Sequence, residues 1–335
     1  KVTALVVVDW STSEGNVVYA VDGELIETHW KESNAFADYS SITTFLQGPI
    51  VDMDIGDFDG DGDVDLITGR NSQNASLVRG DGLGGVQAIT STGSGEGPVL
   101  DVTVADFFGS EAGDDFATAN DSGCGSLVQL KDISGEGIVQ TNLQICSPTR
   151  VELFRGSPTV TSLARADGVV LSVLDVLPSA SGGVALGGTT GSVTFAAAIL
   201  RVQAADLNAD GLQDLVVLTA DDLVHVLVSD GSGDFVAQGA ADFSSYGAGA
   251  GAADIAIGDL EGDGEPDIVV VSTTAESLTV LNNAGSATFV SETIALPTGS
   301  APTRVAVGDL NGDGIADIVA TSPGKNGLEI LLSDP

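Results

Sequence analysis

Basic residues are scarce in this sequence: 11 Lys and Arg stand against 48 Asp and Glu, a formal net charge of −37 over 335 residues. A field of that sign repels nucleic acid and anionic membrane surfaces, so neither is expected as a partner. Long apolar runs are lacking too. No stretch of about 18 apolar residues occurs, so no helical membrane span is encoded. Long amphipathic helical patterns are absent as well. Histidine is limited to His29 and His225, cysteine to Cys124 and Cys146, and aromatics to 5%. No Gly-x-Ser-x-Gly elbow, zinc motif or phosphate loop is present. His225 lies in LVHVLV and reads as a strand residue rather than a catalyst. The chain opens at Lys1 without a signal-peptide pattern and reads as a processed or trimmed form.

What is abundant points to strands. Hydrophobic residues make up 43%, enough for a large core and too much for disorder. The 44 glycines and the short β-branched runs imply many strands joined by tight turns. The acidic residues are a solvated surface in part. In part they are arranged to hold cations.

The arrangement is clearest in DFDGDGDVDLITG, residues 57–69. Asp57, Asp59 and Asp61 occupy positions 1, 3 and 5, and Gly62 follows at position 6. Alternate side chains converge there and glycine permits the sharp turn, which is how a chain wraps oxygen ligands around a hard cation. An EF-hand is rejected: position 12 is Thr68 rather than Glu, it lies in a strand-like run, and the closing acid is Asp65 at position 9. The loop recurs as DLNADGLQD from Asp206, DLEGDGEPD from Asp259 and DLNGDGIAD from Asp309. Each runs directly into an apolar strand.

Internal repetition then sets the architecture. Anchoring aspartates stand at 9, 57, 106, 206, 259 and 309, a spacing near 50 with one anchor missing between 106 and 206. The segment SPTVTSLARAD (157–167) fits the missing unit, with Arg165 near the position of the lost Asp. Ser11 and Ser13 replace the carboxylates of the first loop, so no calcium is expected there. The Asp106 loop has Phe108 at position 3 and an extra residue, and is expected to be a weak fifth site at most. Four short strands per unit, without helices, predict an all-β fold: a β-propeller of seven four-stranded blades, with six blades as the alternative. The blades are expected near 1–48, 49–97, 98–156, 157–199, 200–250, 251–301 and 302–335, in a single domain. The last falls short of a fourth strand: either a partner segment covers that edge or the native chain continues, since an open strand edge tends to pair with something.

These repeats resemble the FG-GAP or VCBS family, the calcium-loop propeller repeats also found in integrin α-subunit heads. The resemblance is strong at four loops and weak in the first and fourth units. It implies a Ca2+ ion between the first two strands of a blade. The ligands would be Asp57, Asp59, Asp61 and Asp65; Asp206, Asn208, Asp210 and Asp214; Asp259, Glu261, Asp263 and Asp267; and Asp309, Asn311, Asp313 and Asp317. The backbone carbonyl at position 7 joins them: Asp63, and by the same matching Leu212, Glu265 and Ile315. Glu261 departs from the usual Asp or Asn.

Cys124 and Cys146 flank a hairpin centred on Gly135, which would set them opposite one another at a distance that allows a disulfide and suggests an oxidising compartment. The alternative is two small buried thiols. Arg79-Gly80-Asp81 spells RGD, but LVRGDGLGG matches LVSDGSGD at 227–234, so the tripeptide reads as a repeat-encoded hairpin turn. Asn74-Ala75-Ser76 and Asn120-Asp121-Ser122 are glycosylation sequons. Trp10, Trp30, Tyr19, Tyr39 and Tyr246 could stack on sugars, although scattered aromatics in blades more often pack. The expectation is a non-enzymatic, secreted or cell-surface module for binding, adhesion or scaffolding, with structural calcium and a protein or carbohydrate partner. Two alternatives stand: an enzyme or accessory propeller acting on polysaccharide or lipid headgroups, and a subunit of a larger surface assembly joined through the unfinished blade.

Overall fold

The computed structural model describes the chain apart from residues 1, 9–15, 22–23, 32–34, 44–48, 72–74, 81–85, 92–96, 106–112, 122–126, 134–137, 145–148, 158–159, 179–183, 231–242 and 334–335. It is an all-β propeller with almost no helix: one 3-10 turn, Pro323–Lys325, interrupts the strands among the described residues.

Each sheet is an antiparallel meander in chain order. The first holds β1 (Val2–Val8), β2 (Asn16–Val21), β3 (Glu24–Lys31) and β4 (Ala35–Thr43). The second holds β5 (Ile50–Gly56), β6 (Asp65–Arg70), β7 (Ala75–Gly80) and β8 (Val86–Ser91). In the third are β9 (Val99–Ala105), β10 (Asp115–Asn120), β11 (Leu127–Ile133) and β12 (Ile138–Gln144). The fourth comprises β13 (Arg150–Phe154), β14 (Thr161–Asp167), β15 (Val170–Pro178) and β16 (Val184–Thr194). Next come β17 (Ile199–Ala205), β18 (Asp214–Thr219), β19 (Leu223–Leu227) and β20 (Ser244–Gly247), then β21 (Ala252–Gly258), β22 (Asp267–Ser272), β23 (Ser277–Asn283) and β24 (Phe289–Ala295). The last sheet has three strands, β25 (Val305–Gly308), β26 (Asp317–Ser322) and β27 (Gly327–Leu331).

In five of the sheets the second strand is sandwiched on both faces, so its residues are buried throughout instead of alternating, polar ones such as Thr68 and Asn120 included. Every residue of β6, β10, β18, β22 and β26 is buried. The core is divided accordingly, one apolar cluster per interface between consecutive sheets. Ile255, Ile268 and Val270 of the sixth sheet pack on Val216, Leu218 and Val224 of the fifth. Leu5 of β1 packs on Ala306, Leu310 and Val319 of the last sheet, so the two ends of the chain meet. The Nε of Arg304 donates to the carbonyl of Thr3 at 2.9 Å across the same junction.

The fourth sheet corrects the expected boundary at 157. Its first strand is β13 at 150–154, and TSLARAD is the second strand, β14. The residue at the head of the loop is therefore Arg155, not Arg165. Arg155 exchanges backbone and side-chain hydrogen bonds with Gln213 of the next loop, at 2.8 and 2.7 Å. The sequence misled because VELF is too short to register as a strand beside the longer Pro-led run.

Candidate metal-binding loops and the central channel

The four acidic loops share one construction. The position-1 carboxylate turns back into its own loop and accepts successive backbone N–H groups. Asp57 accepts from Gly60 at 2.8 Å, Asp61 at 3.2 Å and Gly62 at 2.9 Å. Asp259 and Asp309 accept from the three matching residues, and Asp206 from Asp210 and Gly211. The turn requires left-handed backbone at position 6, where Gly62, Gly211, Gly264 and Gly314 have φ of 89°, 86°, 87° and 85°. At position 5, Asp61, Asp210, Asp263 and Asp313 each accept the N–H two residues on, from Asp63, Leu212, Glu265 and Ile315.

Position 9 has a second task that the sequence did not show. Asp65 accepts the N–H of Phe58 at 2.9 Å on one oxygen and that of Gly80 at 2.8 Å on the other. Asp214 bridges Leu207 and Ser229, Asp267 bridges Leu260 and Asn283, and Asp317 bridges Leu310 and Ser333 in the same way. Each of these acids ties its loop to the end of the third strand or the residues just beyond it. Burial pushes Asp65 and Asp214 up to about 6, against the N–H groups that favour the ionised form. Position 2 is the loop's apolar anchor: Phe58, Leu207, Leu260 and Leu310 are buried, and Phe58 meets Phe116 edge-on at 5.8 Å.

Position 3 varies. Asn208 and Asn311 are hydrogen-bonded to Asp210 and Asp313, as donor through the amide nitrogen and as acceptor through the oxygen. Asp59 lies 3.4 Å from Arg79 through one oxygen, while its other oxygen is buried without a hydrogen-bond partner. Burial raises its pKa, and Asp61 adds to the shift. Ligand oxygens of Asp57, Asp59 and Asp61 all lie within 4.8 Å of one another. Converging carboxylates with an unpartnered oxygen are a donor set suited to a hard divalent cation. The Asp106 loop and the Ser11–Ser13 loop lie outside the described residues, as do Cys124 and Cys146.

The β11–β12 ladder pairs Leu127 with Gln144 and Ile133 with Ile138. That register is one residue away from the symmetric one that sets the two cysteines opposite. Asn120 is fully buried and hydrogen-bonded to Thr118 and Gly97, so its sequon cannot carry a glycan on the folded chain. Asn74 lies outside the described residues. In the RGD segment, Gly80 is locked by Asp65 and Arg79 faces Asp59; Asp81 lies outside the described residues. His225 is held between Thr219 at 3.0 Å and Ser245 at 2.8 Å and stacks near Phe195 and Phe243, as a packing residue. Burial lowers its pKa. Tyr246 packs edge-on against Phe289; the side chains of Trp10, Trp30, Tyr19 and Tyr39 lie outside the described set.

The first strands converge on a central cavity of about 320 Å³ lined by charge. Its polar lining comprises Asp52, Asp54, Asp101, Glu152, Arg201, Gln203, Asp254 and Arg304, with Arg150 beside Asp101 and Thr103 beside Glu152. Innermost strands are edge strands, with N–H groups unpaired on the channel side. The carboxylates reach sideways to the neighbouring sheet and take them up. Asp52 accepts from Val102 at 3.0 Å, Asp54 from Val104 at 2.9 Å, Asp101 from Val151 at 2.8 Å and Glu152 from Ala204 at 3.0 Å. Burial pushes Asp54 up to about 7 and holds Glu152 well above the usual range, with Asp54 and Asp101 reinforcing the shift on Glu152. Burial disfavours charge on Arg201, but Asp254, Asp52 and Asp101 outweigh it. Sequence reading missed this set. Its signal was a polar residue recurring at the same place in each first strand, about 50 residues apart.

Residues 206–270 and 259–320 match the model for the FG-GAP-like repeat. The chain thus carries FG-GAP-like repeats on a β-propeller fold. The matched residues begin and end inside the acidic loops and their strands. No curated protein matches the sequence. Among solved structures, BBS1N in complex with ARL6DN, soaked with lead, is similar over 99% of this chain and 92% of that one, at a TM-score of 0.69 and 13% identity. The mercury-soaked crystal of the same complex gives 96%, 88%, 0.65 and 13%. At that identity the likeness is one of fold. No helix among the described residues is long and apolar enough to cross a membrane.

Proposed function

We propose that this propeller is a non-enzymatic module that binds a protein partner outside the cell, built as one domain of seven blades and stabilised by calcium. The blade count is supported by the seven apolar interfaces, the last of which joins the final sheet to the first. The calcium reading rests on the buried, unpartnered oxygen of Asp59 among the converging oxygens of Asp57, Asp59 and Asp61. Asp57, Asp59, Asp61 and Asp65 with the Asp63 carbonyl would hold the ion, which would supply charge neutralisation. Asp206, Asn208, Asp210 and Asp214, then Asp259, Glu261, Asp263 and Asp267, and Asp309, Asn311, Asp313 and Asp317 would do the same in their loops. A disulfide between Cys124 and Cys146 belongs to the same reading.

The non-enzymatic reading rests on how the channel acids are used: each named above is committed to a backbone N–H of the neighbouring sheet. A protein partner is favoured over a carbohydrate by the fold-level likeness to a propeller crystallised with a protein. Ion binding to the folded chain raises its stability by mass action. The test is thermal melting in excess calcium and in chelator, followed by affinity capture from the native cell surface under both conditions. A higher melting temperature in calcium and a partner retained only with calcium are expected. An identical melt in chelator overturns the calcium reading, and steady turnover of a polysaccharide or lipid headgroup overturns the non-enzymatic one.

A further inference from the structure

The first residue of the RGD tripeptide stands beside the Asp57 loop. Each position-9 acid accepts an N–H at or just beyond the end of a third strand, and that bond aligns four residues: Gly80, Ser229, Asn283 and Ser333. The residues just before them are Arg79, Val228, Asn282 and Leu332, so of these four only the one at the Asp57 loop is charged. The Nη1 of Arg79 lies 3.4 Å from the Oδ2 of Asp59, and its Nε is buried without a hydrogen-bond partner. Position 3 shows what the charge does. Asn208 and Asn311 each donate an amide hydrogen to the position-5 carboxylate, at 3.0 Å in both loops. An ionised Asp59 has no hydrogen to give Asp61, and the positive charge comes from β7 instead.

We propose that Arg79 is the affinity-setting residue of the Asp57 loop, an internal cation that competes with a divalent ion for Asp59 and keeps this loop a weaker site than the Asp259 loop. The proposal rests on the calcium reading and ranks its sites. The number of ligand charges tunes calcium affinity. Side chains at positions 1, 3, 5 and 9 carry −4 in the Asp57 loop, from Asp57, Asp59, Asp61 and Asp65, and Arg79 brings this to −3. The loops with Asn208 and Asn311 carry −3 without help. The Asp259 loop carries −4, from Asp259, Glu261, Asp263 and Asp267, and has Asn282 where Arg79 would stand. Asp59 keeps its buried Oδ1 for an ion, but Arg79 takes the Oδ2, so bidentate coordination by Asp59 requires Arg79 to leave. A partner that fixes a ligand in place acts the other way and raises metal affinity. Here that effect is the smaller one. A contact of 3.4 Å is long for a hydrogen bond and the Arg79 side chain is 32% exposed, so Asp59 is held loosely. Repulsion between the guanidinium and the ion falls off slowly with distance and needs no such precision.

The experiment isolates one loop within the full chain. Asp210→Ala, Asp263→Ala and Asp313→Ala together remove the position-5 ligand from the other three loops, and calorimetric titration with calcium then reads the Asp57 loop alone. Melting curves in chelator establish that each variant is folded. Arg79→Val, which installs the side chain found at Val228, is expected to raise the calcium affinity of this loop about tenfold. Arg79→Lys keeps the charge and is expected to stay within about twofold of the parent. Beside Asp59→Asn, the gain from Arg79→Val is expected to shrink below about threefold, because the carboxylate that holds Arg79 at the loop is gone. A second reading leaves all four loops intact: Arg79→Val alone is expected to enlarge the calcium-induced rise in melting temperature, since stabilisation by an ion grows with its affinity. Unchanged or lowered affinity in Arg79→Val, with calcium still bound, overturns the proposal and leaves the calcium reading in place. So does a gain that persists in full beside Asp59→Asn, or an unchanged rise in the four-loop chain. A four-loop parent that takes up no calcium overturns the calcium reading, and the ranking falls with it.

Discussion

Asp254 accepts the Nε of Arg201 on one carboxylate oxygen at 2.5 Å and the N–H of Val305 on the other at 3.2 Å. Three consecutive sheets meet at one side chain: Arg201 comes from β17, Asp254 from β21 and Val305 from β25. Both charged side chains are mostly buried, at 13% and 10% exposure. Removing one partner of such a pair leaves the other charge buried and uncompensated, which costs about 3–5 kcal/mol. Asp254→Ala is therefore expected to lower unfolding free energy by about that amount, read as a shift of the urea midpoint. Asp254→Asn keeps an acceptor for Val305 and is expected to lose less. Equal loss in both variants would mean that the charge on Asp254 does not matter.

The position-9 acids allow structure and metal to be separated. Asp267 is buried and accepts two backbone N–H groups, so its loss strands two donors regardless of any ion. Hydrogen bonds to a charged group are worth about 1.5–3 kcal/mol each. Asp267→Ala is expected to destabilise the chain by about 3 kcal/mol in chelator and to reduce the calcium-induced rise in melting temperature as well. Asp263→Ala, which removes one exposed loop contact, is expected to reduce the calcium increment with little change in chelator. Melting curves of both variants with and without calcium check this.

The sequence carried the repeat, the loops and the strand order because those depend on local chemistry: glycine at a left-handed position, an Asp that caps its own turn, an apolar second strand. Gly62 and Asp57 are legible in one loop and confirmed by recurrence in three others. What stayed hidden was sideways. Asp52, Asp54, Asp101 and Glu152 act on the neighbouring sheet, about 50 residues away in sequence, and no local pattern shows which N–H a carboxylate will meet. The fourth unit was misread for a related reason: with Arg155 at the head of its loop, the anchor that locates the strand was gone. The hairpin register, with Leu127 opposite Gln144, differs by one residue from one centred on Gly135, because register follows turn type and loop length, which residue composition does not fix.

Gly80, the middle of the RGD tripeptide, has a structural reason to be glycine. A Cβ there would lie 2.4 Å from the carbonyl oxygen of Val64, and the Gly80 N–H is bound to Asp65. The neighbour is backbone and cannot swing aside. Gly80→Ala is expected to cost at least 1–3 kcal/mol, roughly the range for overpacking a tight site. The same substitution should lower calcium affinity, because Asp65 is displaced with it. Circular dichroism melts and calorimetric calcium titration read the two effects; a variant as stable as the parent would show that the strand end yields.

The channel predicts a pH dependence opposite in sign to that of an ordinary surface carboxylate. Burial raises the Asp54 carboxyl to about 7, with Asp52 and Asp114 adding to the shift, while Ile55 and Val104 donate to its oxygens and oppose it. A carboxyl whose pKa is higher in the folded chain than in the unfolded one holds its proton more tightly when folded. Its contribution is complete below the unfolded value near 4 and is lost as pH climbs through about 7. Glu152 and Asp101 shift in the same direction. In chelator, the melting temperature is expected to fall as pH rises from 5 to 8. Asp54→Asn, which keeps an acceptor for Val104 and carries no charge, is expected to flatten that slope and to be the more stable chain at pH 8. If the two melting profiles run parallel across the range, Asp54 does not hold a proton in the channel, and the fall belongs to the net charge of the surface.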